Sequence, residues 1–421
     1  MTKTHKMTDI GIIPNDWKVM TIEEVGHSFS YGVGAEAIPF DGKNKYIRIT
    51  DIDDESAQYR PSPIVSPSFF SERHILKEGD IVVARTGASV GKSYLYSNTD
   101  GKLIFAGFLM KFNVTGCNAT YLAYHLRTKQ YKQWVGTESA RTGQPGLNIE
   151  QLKQFSFPTP SDSNEQKGIA TVLANVDLLI SSIEKAIIKK KMMKEGAMQQ
   201  LLTGRIRLNN STNEWIQVTF GDVISRFATG LNPRQNFTLN SGGSCNYVTI
   251  KDFKDGVLNF ENCDKINQEA CELINRRSDL RVGDLLFSSI GRVGDAYVIK
   301  EEATDWNINE SVYNLRPRHD LITSDFLYYI IKSHEVHQKL QDAVTGSTLR
   351  SIKMNHLKAI SFTIPPTIEE QLEIATILSS MDNEIQFLEA EKNKFISIKQ
   401  GMMQKLLTGQ IRLPQSCLKE E

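Results

Sequence analysis

The sequence predicts an α+β chain with a pseudo-twofold internal repeat: two structurally similar globular domains, each a mixed or largely antiparallel sheet with helices, and two long antiparallel helices that separate them. Three observations predict it. First, "EQKGIATVLANVDLLISSIEKAIIKKKMMKEGAMQQLLTGRIRL" (165–208) returns as "EQLEIATILSSMDNEIQFLEAEKNKFISIKQGMMQKLLTGQIRL" (370–413), at a constant offset of 205 with about half the positions identical. Second, the segment ahead of each copy matches more weakly in the same order, "IPNDWKVMTIEEV" with "TNEWIQVTFGDV" and "KYIRITDI" with "NYVTIKDF", so Trp17 pairs with Trp215 and Tyr46 with Tyr247. Third, the duplicated segment carries a heptad seam while the flanking halves read as short alternating strands and Gly-rich turns.

The seam runs through Ile169, Leu173, Val176, Ile180, Ile183 and Ile187, and in the second copy through Ile374, Leu378, Met381, Ile385 and Leu388, then Phe395 and Met402. Alternating steps of four and three put one apolar stripe along a helix that packs on another. Lys194 and Lys399 interrupt the stripe, and Gly204 and Gly409 stop the helices. Each helix is expected to be about 36 residues and about 54 Å long. Joined through a whole domain, the two can return side by side; the alternative is that each docks only on its own domain. Boundaries follow: a first domain over 1–163, a spacer helix over 164–208, a second domain over 209–368, a second spacer over 369–413 and a tail over 414–421.

Strand candidates in the first half are "YIRIT", "DIVVAR", "KSYLY", "LIFAGFLMKFNV" and "FSFP"; in the second they are "NYVTI", "GDLLFSS", "DAYVI" and "INESVYNLRP". One stretch, "RTGASVGKS", imitates a phosphate-binding P-loop. It has three residues between its glycines where four are needed, a strand pattern follows where a helix should open, and the second copy, "SSIGRVGDA", lacks the Lys-Ser pair. The shared feature is a turn between strands. A nucleotide site there would require binding that Lys92→Ala abolishes, and none is expected.

Bulk properties exclude little. With 49 basic and 49 acidic residues among 421, net charge is silent on a nucleic-acid partner. The start lacks a signal-peptide run, no stretch resembles a membrane span, and five scattered cysteines read as free thiols, so the expected location is cytoplasmic. Catalytic patterns are missing too. "TIPPT" lacks the Asn and aromatic of an amino-methylating motif, His334 and His337 have no third ligand, and no Gly-x-Gly-x-x-Gly follows a strand. No catalytic residue, no metal ligand and no cofactor of the chain's own is expected.

The residues that remain are polar side chains on two Gly-rich loops that recur in each half with different chemistry. Base edges are read by Arg, Asn/Gln and Ser/Thr reaching from scaffolded loops. The expected DNA-binding residues are Arg85, Thr86, Ser89, Lys92, Arg141, Thr142 and Gln144 in the first half. In the second they are Ser288, Ser289, Arg292, Thr345, Ser347 and Arg350.

An opening "IPNDW", a central "EGDIVVARTGASVG", a closing "SFPTP" and then "IATVLANVD…LLTGRIRL", all given twice, resemble the specificity subunit of type I restriction-modification systems. The resemblance covers essentially the whole chain. It implies two target recognition domains reading the two parts of an asymmetric bipartite site in double-stranded DNA, and helices that set the spacing and dock two methyltransferase subunits. Those partners use S-adenosylmethionine, and restriction/translocase subunits use ATP and Mg; the specificity subunit itself is not an enzyme. The alternative is a stand-alone DNA-binding or scaffolding repeat protein without enzymatic partners, which would be well behaved alone and bind its site tightly.

Overall fold

The computed structural model describes residues 5–140, 146–208, 213–234, 236–240, 242–346 and 350–414. The chain divides into two compact units, Met1–Lys185 with Ala390–Glu421, and Ala186–Glu389. Each unit therefore holds one globular half and a stretch of both long helices, Ser163–Leu201 and Ile368–Leu406.

The first unit is organised around a four-stranded antiparallel sheet in the order Gly26–Tyr31, Leu109–Val114, Asp80–Ala84, Ser93–Leu95. Asp80–Ala84 is buried throughout, which is why "DIVVA" reads as a continuous apolar run. The expected strand "LIFAGFLMKFNV" is two strands. Leu103–Phe105 pairs in parallel with Lys45–Ile47, the chain turns at Ala106–Gly107–Phe108, and Leu109–Val114 enters the antiparallel sheet. Helices Ala119–His125 and Lys129–Ser139, the latter capped by the Thr128 hydroxyl, cover one face. Trp17, Tyr121, Phe112, Phe155 and Phe157 fill the core, together with Ile169 and Leu173 from one long helix and Met403, Leu406 and Leu407 from the end of the other.

The second unit repeats the plan. Its sheet runs Ile224–Thr229, Val312–Pro317, Leu285–Ser288, Ala296–Val298, and Cys245–Val248 pairs in parallel with Trp306–Ile308. The paired tyrosines play one role: Tyr46 donates to the Val33 carbonyl at 2.7 Å and Tyr247 to the Leu231 carbonyl at 2.6 Å. Helix Gln268–Ser278, unforeseen in the sequence, is specific to this half and packs on the Trp306–Ile308 strand. Cys271 of that helix forms a disulfide with Cys245, so the expectation of five free thiols fails at these two; Cys117 and Cys263 are free.

Within each unit the two long helices run antiparallel. In the first unit Asp177 meets Lys399 and Glu184 meets Lys392. In the second Lys194 meets Asp382 at 2.5 Å, and Lys191 meets Glu389 at 2.7 Å. Every expected seam residue is buried or half-buried. The two lysines that interrupt the seam are thus explained. Each reaches the aspartate of the opposite helix, which in turn accepts from a tyrosine of the adjoining domain: Tyr124 to Asp177 and Tyr329 to Asp382, both at 2.8 Å. The ends are tied by the same exchange. Arg412, just past the second helix, holds Glu165 and Asp16, while Arg207, past the first, holds Glu370 at 2.7 and 2.8 Å. These bidentate guanidinium pairs lie against Trp17 and Trp215, the residues matched by the sequence repeat. Asp177, Glu165, Asp382 and Glu370 each sit in one copy of the duplicated segment and their cations in the other, while Asp16 belongs to the first domain.

Candidate nucleic-acid interface

In each unit the two Gly-rich loops, far apart in sequence, meet. In the first, Thr86 bridges to Gly146 and the Leu147 amide donates to the Arg85 carbonyl at 2.8 Å. In the second, Ile290 bridges to Ser351, Ile352 donates to the Ser289 carbonyl at 2.9 Å, and Gly291 donates to the Arg350 carbonyl at 2.9 Å. The same backbone junction therefore carries Arg85-Thr86 in one unit and Ser289-Ile290 in the other.

The glycines of the early loop are needed for packing and not for phosphate. Gly91 has φ +84° and a Cβ there would stand 2.8 Å from the Val135 methyls; Gly294 has φ +95° and a Cβ there would stand 3.3 Å from Leu340. The loop is a hairpin turn between Asp80–Ala84 and Ser93–Leu95, with no helix after it. Lys92, the would-be phosphate ligand, pairs with Asp54 at 2.7 Å and is largely covered.

The expected reading residues separate into three groups. Arg85 and Thr86 lie at the loop junction. The Arg85 guanidinium stacks 4.8 Å over the ring of Tyr31, and no carboxylate lies within ion-pair distance of it among the described residues. Arg350 and Thr345 occupy the corresponding edge of the second unit. Both are exposed; Arg350 donates to the Gln341 amide oxygen at 3.1 Å, and Thr345 pairs through its backbone with Ser351.

The second group faces elsewhere or inward. Ser89 and Lys92 line a cleft of about 490 Å³ with Arg60, Arg127, Asp177 and Lys399. Arg292 is its counterpart in use: it pairs with Asp295 at 2.6 Å and donates to the carbonyls of Ile250 and Phe253, strapping the turn to the neighbouring loop. Burial pushes the Asp295 carboxyl up, but its bonds to Lys332 and Arg292 outweigh that and hold it below the ordinary range. Ser288 and Ser289 are fully covered, their hydroxyls donating to the carbonyls of Ile290 and Ser311 at 2.9 and 2.7 Å. The third group, Arg141, Thr142, Gln144 and Ser347, lies outside the described residues.

Sequence reasoning missed two residues beside Arg85: Tyr31, whose hydroxyl accepts the Ile149 amide at 3.4 Å, and Phe108, 64 % exposed on the turn that splits the expected strand. No local signal marked them, because one belongs to a strand end and the other lay inside an apolar run.

The model of the type I restriction modification DNA specificity domain matches this chain twice, over residues 14–190 and 212–396. The chain belongs to that family. Similar to it along nearly its whole length is the type I restriction enzyme MjaVIII specificity subunit of Methanocaldococcus jannaschii, 24 % identical over 95 % of this chain and 94 % of the relative. Among solved structures, the S subunit of a type I restriction-modification system from M. genitalium aligns over 97 % of this chain and 99 % of its own, at 16 % identity and a TM-score of 0.61. A chain from a structure of type I R-M complex assembly and conformational transition aligns over 95 % and 99 %, at 18 % identity and a TM-score of 0.54. These structural likenesses support the two-domain α+β specificity fold. Among the described residues no group of His, Cys, Asp and Glu is arranged to hold a metal, and no helix is long and apolar enough to cross a membrane.

Proposed function

We propose that this chain is the non-catalytic reader of a type I restriction-modification complex in the cytoplasm, with recognition domains over 1–163 and 209–368 that bind the two unlike halves of an asymmetric, interrupted site in double-stranded DNA. The observation that carries the reading is the loop junction: one backbone arrangement, built twice, with Arg85 and Thr86 at it in one unit and Ile290, Thr345 and Arg350 in the other. Two frames that differ in side chains suit two different half-sites. The long helices serve as the ruler. A 39-residue helix is about 58 Å long, so the half-site centres lie no more than about one and two-thirds duplex turns apart.

The helices also dock the partners. Leu178, Met192 and Phe387 project from them with two thirds of their surface exposed, apolar area that a docked partner would cover. Two methylating subunits that use S-adenosylmethionine, and restriction/translocase subunits that use ATP and Mg, are the occupants this reading assigns. Co-expression with a methylating subunit, followed by sequencing of the modified bases, tests it. A two-part, non-palindromic motif is expected; a continuous or palindromic one overturns the two-reader function.

A further inference from the structure

The geometry points to Phe108, together with Arg85 on its Tyr31 support, as the residues that set the base preference of the first domain: Arg85 takes a guanine and Phe108 packs on the methyl of a neighbouring thymine. This assignment rests on the two-reader function and names the side chains through which the first domain exercises it.

The argument starts from an oddity. Phe108 is 64 % exposed, yet the turn that carries it is closed and tied to its neighbours by backbone bonds. Leu109 donates to Ala106 at 2.8 Å to close the turn, Gly107 donates to Val33 at 2.8 Å, and Arg85 donates to the Phe108 carbonyl at 3.0 Å. Gly32 lies so close that a Cβ there would stand 2.1 Å from the Ala106 oxygen. An aromatic ring exposed to water gives the fold little, whereas a ring carried on a fixed backbone loses less entropy when it meets a partner.

The internal repeat then separates frame from side chain. In the second unit Val312 donates to Asn309 at 3.3 Å and Ser289 donates to the Ser311 carbonyl at 3.1 Å, and a Cβ on Gly230 would clash with the Ile308 oxygen. The turn and its tie to the early loop are shared, while the Gly32 amide donates to Leu109 and the Gly230 amide to Asn309. At this turn Tyr31, Arg85 and Phe108 are replaced by Thr229, the buried Ser289 and Ser311, so at these positions the rings and the cation belong to the first unit. A shared turn that carries different side chains in the two halves suits a reading edge.

The chemistry fits a base-pair edge. Arginine is the commonest guanine reader, through O6 and N7, and an apolar ring favours the thymine methyl. Stacking on Tyr31 orients the guanidinium plane without using its N–H groups, so the fork remains free to donate. The two cations nearby in sequence or by analogy, Lys92 and Arg292, are held by Asp54 and Asp295.

The test uses the full chain with its methylating partner and the sequenced modification motif as readout. F108S installs the side chain that the second domain already carries on the same turn, and R85Q keeps a polar side chain of similar reach. F108S is expected to relax one A·T position, and R85Q one G·C position, each by about tenfold or more and only in the first half-site. A two-part motif that both variants leave unchanged, or a change confined to the second half-site, overturns the assignment alone. A wild-type motif without two separated parts overturns the two-reader function, and this assignment with it.

Discussion

Removing the Asp177 carboxylate is the sharpest perturbation of the helix pair. Asp177 and Lys399 are separated by 222 residues, and their side chains are 17 % and 9 % exposed. Asp177 also accepts from Tyr124 at 2.8 Å and from Arg127 at 3.1 Å. Burial and the neighbouring Arg127 already depress the lysine's affinity for its proton, with Asp177 as its main compensation. Breaking a buried pair from one side costs about 3–5 kcal/mol, and the residual exposure here lowers that to about 2–4 kcal/mol for Asp177→Asn. Lys399→Met should cost less, about 1–2 kcal/mol, because Asp177 keeps two other partners. The double variant should recover a coupling energy of about 1 kcal/mol or more. Equilibrium urea unfolding, followed by Trp17 and Trp134 emission in variants lacking the other two tryptophans, measures this in the first unit. Strictly additive effects, within about 0.3 kcal/mol, would mean that the two residues do not meet and that the reciprocal exchange between repeat copies is wrong.

Two further outcomes follow from the first unit. His125 is buried between Tyr121 and Phe157 with Nε2 unpartnered, and burial pulls its pKa down to about 3. The unfolded chain binds a proton there from about pH 6.5 downwards and the folded one does not, so stability should fall by about 1.4 kcal/mol per pH unit between those values, and His125→Phe should flatten that slope in pH-dependent unfolding. Lys92→Met should cost at most about 1 kcal/mol, because its partner Asp54 is 88 % exposed, and should leave the sequenced modification motif unchanged, whereas a changed motif would return Lys92 to the reading edge.

The two domain-level features legible in the chain were those written in local pattern. Heptad spacing from Ile169 to Ile187 announced a helix because the apolar stripe recurs within each turn and a half, and the duplication announced that whatever the first half builds, the second builds too. The strand "DIVVA" was equally plain, being buried on both faces. The break at Ala106–Gly107–Phe108 was not, since an apolar run gives no sign of where a parallel pairing ends and an antiparallel one begins. Candidate site residues fared by the same rule. Arg85 sits where its loop suggested, but Ser288 and Ser289 point inward and Lys92 is tied down, because exposure depends on neighbours that the loop's own spelling does not contain.

Order along the chain, then, settled the repeat, the helices and the kind of side chain available to each loop, all of which depend on residues within a few positions of one another. Folding settled who meets whom. Asp177 with Lys399, Arg207 with Glu370, Thr86 with Gly146 and the bare ring of Phe108 beside Arg85 all arise from contacts between segments that no periodicity links. A charge or a ring gains its role from the partner that packing brings to it, and packing is a property of the whole chain.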